Sequence, residues 1–138
     1  MHRLSASLCL ALCALTLAAC GASSSSTSTS GFSGTKREVA RTIANFQSHA
    51  TSSEEKKICS EDLAASVVSR LGGTSGCEAA IKHQLSQIDN LEVGIESVDL
   101  ADSGKSATAH VRSIREGKTK PSTLSLVKEA GKWRISGT

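Results

Sequence analysis

The chain predicts an α+β domain in which three N-terminal helices pack on a curved, four-stranded antiparallel sheet. Two observations predict it. Apolar residues recur at helical spacing as far as Ile88, and from Leu91 onward they alternate with polar ones. Turn signals at Asp102-Ser103-Gly104 and Ala130-Gly131 then cut the alternating part into short strands, whose brief connections make neighbours antiparallel.

The helices come first. Thr35-Lys36-Arg37-Glu38 has the spacing of a capping box, in which the threonine side chain accepts from free backbone donors and the glutamate reaches back. Val39, Ile43, Phe46 and Ala50 then share one face, until Ser52 and Ser53 break the pattern. Ser60 caps a predicted second helix with Leu63, Val67 and Leu71 on its buried side, stopped by Gly72-Gly73. Ser75-Gly76-Cys77-Glu78 is another capping box, opening a third helix with Cys77, Ile81, Leu85 and Ile88 on one stripe.

The strands follow. Leu91, Val93 and Ile95 alternate, and Val98 and Leu100 continue out of phase, which places a bulge near Glu96-Ser97. In the second strand Ala107, Ala109 and Val111 occupy one face, with Thr108, His110, Arg112 and Ile114 on the other. Glu116 to Lys120, followed by Pro121, reads as a loop. Leu124 and Leu126 mark the third strand, and Trp133 and Ile135 the fourth.

Three stretches carry a family likeness: Ile58-Cys59-Ser60 leading to Cys77, Gly104-Lys105-Ser106-Ala107-Thr108-Ala109, and the closing run from Leu126 to Ile135. On these the folded part resembles the small exported members of the nuclear transport factor 2-like (cystatin-like) group. The resemblance implies a cone of helices and curved sheet around a pocket. Enzymes on that fold, such as ketosteroid isomerase and the SnoaL-like cyclases, use a pocket carboxylate or histidine as base, and the isomerase adds a tyrosine. This chain has no tyrosine.

Residues 1–19 read as a secretory signal: a basic start at His2 and Arg3, then an apolar run from Leu4 to small residues at Ala18 and Ala19. Leu17-Ala18-Ala19-Cys20 resembles a bacterial lipobox, in which the Cys20 thiol takes a diacylglyceryl group and cleavage leaves it as the new N-terminus. Plain secretion with a cut after Ala19 is the other reading. The run from Leu4 to Ala19 is too short for a permanent span, which needs roughly 20 apolar residues. Residues 20–34 are then a lipidated cysteine and a tether, because Ser23 to Ser30 holds only serine and threonine and has nothing to bury. Residues 35–138 form the domain. The whole resembles a small actinobacterial-type lipoprotein held at the extracytoplasmic face of the cell membrane.

Composition narrows the partners. The formal charge is +3, and residues 36–90 balance seven acidic against seven basic side chains. Phe32, Phe46 and Trp133 are the only aromatics, so the basic patch with stacking partners that nucleic acid calls for is missing. Cys9 and Cys13 leave with the signal and Cys20 takes lipid, so Cys59 and Cys77 are left to pair with each other in an exported domain. A redox or metal role would call for Cys-x-x-Cys or nearby histidines, neither of which is present.

No catalytic set, nucleophile elbow, phosphate loop or metal site stands out, and no cofactor is expected. Asp99 and His110 are the acid–base candidates on strands, although His110 shares the face of Thr108 and Arg112 rather than the apolar one. His83 falls on the polar side of the third helix, and His49 sits at the negative end of the first. Gly72-Gly73 with Gly76 is a helix stop and a turn. His110, Arg112 and Trp133 are the candidate contacts with a ligand or partner. The expected role is a non-enzymatic module on the membrane. It would bind a hydrophobic small molecule or an envelope protein, or pair with itself through the sheet. An isomerase- or cyclase-type enzyme and an inert envelope scaffold are the alternatives.

Overall fold

Helices precede a meander, as expected. A computed structural model describes residues 27–115 and 117–138. The lipobox, Cys20 and the first part of the tether lie outside the described residues. Helix α1 (Gly34–Thr51) leads to a single turn, α2 (Glu55–Lys57), that runs on into a π-helical turn at Ile58–Asp62; α3 (Ala65–Arg70) and α4 (Gly73–Leu85) follow. Strands β1 (Glu92–Leu100), β2 (Ser106–Arg115), β3 (Lys118–Glu129) and β4 (Lys132–Gly137) make one antiparallel sheet in the order β1-β2-β3-β4.

The strand reading holds closely. Register shifts between Ile95 and Ser97, so Val93 and Val98 both face inward despite the change of phase. Ala107, Ala109 and Val111 are buried, whereas His110 and Arg112 are exposed. The β3–β4 connection turns through Ala130 (φ 48°) and Gly131 (φ 79°), the paired positive values of a tight hairpin. One strand boundary differs. Lys118 to Lys120 of the expected loop is strand, with Pro121 opposite Arg112. Pairing to β4 starts only at Ser125, so β3 is an edge strand at Pro121, where a missing N–H is tolerated.

The helical part departs further. The first capping box does not form: α1 begins at Gly34 after Ser33, with no side-chain cap. Glu38 is engaged elsewhere, accepting from Trp133 Nε1 and Lys128 Nζ, each at 3.3 Å. A buried indole N–H left without an acceptor costs about 1–3 kcal/mol, more than most surface caps contribute. The predicted second helix is interrupted at Leu63, which is extended and bridges Ile135, while the Ala64 N–H donates to the Ile135 carbonyl at 2.8 Å. The open edge of β4 thus gains a partner at the expense of helix. Ser60 turns its hydroxyl back to the Lys56 carbonyl instead of capping, and Leu71 is 36% exposed rather than buried. Helix α4 starts at Gly73 without the second capping box and ends before Ile88. At Gly76 a Cβ would collide with the Leu71 carbonyl oxygen, so that glycine permits a close backbone approach rather than cradling phosphate.

The core lies between α1 and the inner face of the sheet. Val39, Ala40 and Ile43 are fully buried, and Val39 and Ile43 share one core cluster with Val98, Leu126 and Ile135. Aliphatic side chains occupy the interior that the resemblance makes a pocket. Cys59 and Cys77 are joined in a disulfide that ties the π turn to α4. Residues 27–33, part of the expected tether, are laid against the domain: Phe32 packs on the core and Thr27 is only 8% exposed.

The disulfide closes a loop between residues 18 apart, which is worth about 3 kcal/mol in the chain-entropy model. Reduction should therefore lower the melting temperature of the folded domain by about 10–15 °C. An unchanged melting temperature, or two free thiols in untreated protein, would contradict the bond.

Candidate functional site

Polar groups converge on the side of the molecule where α1, the π turn and the β3–β4 hairpin meet. Two hollows lie there and share Ser60 and Arg134. The first, of about 480 Å³, has an apolar floor of Leu63, Ala65 and Val68 beside Cys59. The second, of about 520 Å³, is lined by Glu38, Arg41 and Asn45 of α1, by Glu61 and Asp62 of the π turn, and by Lys132 of the hairpin. Together they make a cleft with one greasy and one charged half.

Arg134 divides the halves and is held firmly. Its Nη1 donates to the Ser60 carbonyl at 2.6 Å and lies 3.4 Å from the Leu63 carbonyl, and its Nε stands 3.7 Å from a Glu129 carboxylate oxygen. These bonds satisfy carbonyls that the break in the helix leaves free. Trp133 lies in the wall of the charged half but is 4% exposed, its N–H bound to Glu38 and its ring 5.7 Å from the Lys128 ammonium. Its ring is a core element, with little face to offer a ligand.

Asp62, in the wall of the charged half, belongs to a pair that sequence reasoning missed. Asp62 is 2% exposed, and one of its carboxylate oxygens lies 2.7 Å from His49 Nδ1. Glu54 approaches His49 Nε2 at 4.0 Å. Burial raises the Asp62 pKa above the ordinary 3.8, and the hydrogen bond to His49 only partly offsets this. No local signal marked Asp62, the last of three polar residues, Ser60-Glu61-Asp62, between Ile58-Cys59 and Leu63-Ala64. The partner, thirteen residues earlier, could not be read without knowing how the π turn folds onto α1.

The predicted acid–base candidates sit elsewhere. Asp99 and His110 approach to 3.7 Å, with side chains 67% and 50% exposed on the outer face of the sheet. Arg112 pairs with Glu96 on the same face. His110 and Arg112 thus belong to a solvated ladder of charges, far from the cleft. His83 is exposed beside Gln87. Among the described residues no group of three or more His, Cys, Asp or Glu is placed to hold a metal ion, and no described helix is long and apolar enough to cross a membrane.

The pH dependence of the buried pair follows from its sign. Folded Asp62 binds its proton more tightly than in the unfolded chain, so its contribution to stability declines as pH rises from 3.8 through the raised value. Asp62→Asn should remove that decline in urea-midpoint profiles, and equal slopes in the two proteins would refute it. His49→Ala strands a buried carboxyl and should cost about 1–3 kcal/mol.

No family model matches the chain, and no curated protein matches it. A solved chain named as a variant of Rd1NTF2_05 is similar at 18% identity, over 72% of this chain and 93% of its own length, with a TM-score of 0.48. At that score the likeness adds nothing to what the sheet order and helix placement say by themselves.

Proposed function

We propose that this chain is a membrane-anchored extracytoplasmic lipoprotein whose nuclear transport factor 2-like domain is a non-enzymatic binding module for an amphipathic small molecule. The observation that carries the binding reading is the two-part cleft. Leu63, Ala65 and Val68 offer an apolar floor, and Arg41, Glu61 and Lys132 offer charge a short distance away across Arg134. A ligand with a short hydrocarbon part and a polar head matches that division. The filled interior favours the cleft over the cone as the binding place. Export is supported by Leu17-Ala18-Ala19-Cys20 and by the Cys59–Cys77 disulfide, a bond that persists in oxidising compartments.

One observation favours a second reading. Asp62 lines the charged half, and burial raises its pKa above the ordinary value beside an imidazole. A shielded carboxyl group next to a histidine is the kind of group an isomerase- or cyclase-type enzyme employs. The first reading is preferred because Asp62 and His49 already satisfy each other in a site of low exposure.

Two measurements test the proposal. Cys20→Ala should move the protein from the membrane fraction to the medium, and continued membrane retention would refute lipid anchoring. Native mass spectrometry of gently purified protein should show a bound amphiphile that Val68→Arg reduces at least tenfold, because a guanidinium fills the apolar half. Equal occupancy in both proteins would refute the cleft as the site.

A further inference from the structure

We infer that the β2–β3 hairpin end of the sheet faces the bilayer, with anionic lipid headgroups as its partner, and that the cleft points away from it. This rests on the lipoprotein reading above. The first observation is the docking of Thr27. Its hydroxyl donates to the Val93 carbonyl at 2.9 Å and also contacts the side-chain oxygen of Gln47. That glutamine is itself buried, accepting the Val93 N–H and donating to the Leu91 carbonyl. The strap of residues 27–33 therefore runs back beside α1, from Ser33 at its start to the level of Gln47.

The chain thus leaves the domain at the beginning of β1, not at the beginning of α1. Glu92 pairs with Ile114 and Ile114 with Thr119, so this is also the end from which the β2–β3 hairpin projects. Seven steps of chain separate Cys20 from Thr27, about 25 Å at full stretch. A domain of about a hundred residues is roughly 35 Å across. An acyl group on Cys20 can therefore hold the hairpin end near the membrane but cannot reach past the opposite end.

Charge supplies the second observation. Ile114 to Lys120 carries three basic residues and one acid, and Lys118 and Lys120 are exposed without an ion pair among the described residues. Glu92 and Asp89 belong to the same end, so with Glu116 its acids equal its bases in number. Arg112 is already paired with Glu96. The exposure of the two lysines on β3, not a net charge, suits them to headgroups. Each free lysine near an anionic surface contributes about 1 kcal/mol. Lys120 and Lys128 lie eight residues apart on β3, about 26 Å. The cleft, at the Lys132–Arg134 end, is held away from the headgroups and open to the aqueous side.

Hydrogen exchange on the acylated protein tests this directly. The probe surface is vesicles of seven parts phosphatidylcholine to three of phosphatidylglycerol, compared with a form beginning after Cys20 and free of lipid. Amides of Ile114 and of Lys118 to Lys120 should exchange at least threefold more slowly on vesicles, with no change at Ala130 to Lys132. Lys118→Glu with Lys120→Glu should abolish the slowing, as should ten glycine and serine residues inserted before Thr27. Slowing centred on Ala130 to Lys132, or none anywhere, would overturn the inference. Protein that carries the lipid and floats with vesicles, yet shows no slowing at the hairpin, refutes the orientation alone. Protein that carries no lipid refutes the anchor.

Discussion

The five residues from Ile58 to Asp62 form the constraint on which the cleft depends. Their π-helical turn holds Cys59 against α4 through the disulfide and Asp62 against α1 through His49. The chain then leaves the turn extended at Leu63, alongside the edge of β4. Three elements distant in sequence are pinned by one short segment. Without that turn the run from Glu55 to Arg70 would be free to continue as an ordinary amphipathic helix. Ser60 and Leu63 would then no longer present their carbonyls to Arg134. π turns concentrate at functional sites because the extra residue they insert displaces side chains from regular helical positions. Here the turn ends on an acid that lines the cleft, and that acid is buried beside an imidazole.

The sheet was far more legible in the sequence than the helices, for a physical reason. Strand register follows from alternation, and a slip of one residue would turn Val93 or Ala109 out to water. The bulge before Ser97 and the Ala130-Gly131 turn could be read for that reason. Helix limits instead depend on which long-range partner claims each group. Glu38 had the spacing of a cap but is bound by an indole from the last strand, and Leu63 had helical spacing but pairs with Ile135. The same holds at the candidate site. Asp62 sits beside Glu61 and Ser60 with nothing to set it apart, and nothing local pointed to His49.

Packing also moved the functional reading. A curved sheet under helices suggests a hollow cone, yet in this chain small residues at Ala107 and Ala109 let Ile43, Leu126 and Trp133 close the interior. At the meeting of α1, the π turn and the β3–β4 hairpin a surface cleft whose halves differ in polarity stays open. The strap from Thr27 changes the picture of the tether as well, since part of a serine- and threonine-rich segment finds buried hydrogen bonds along α1.

In the proposed lipoprotein one thiol is joined to lipid and two are joined to each other. The intact mass of protein extracted from membranes reads both states at once. The predicted species begins at Cys20, carries a diacylglyceryl adduct and is two hydrogens lighter than the reduced chain. A full-length mass with residues 1–19 retained, or a mass beginning at Cys20 without the adduct, would contradict it.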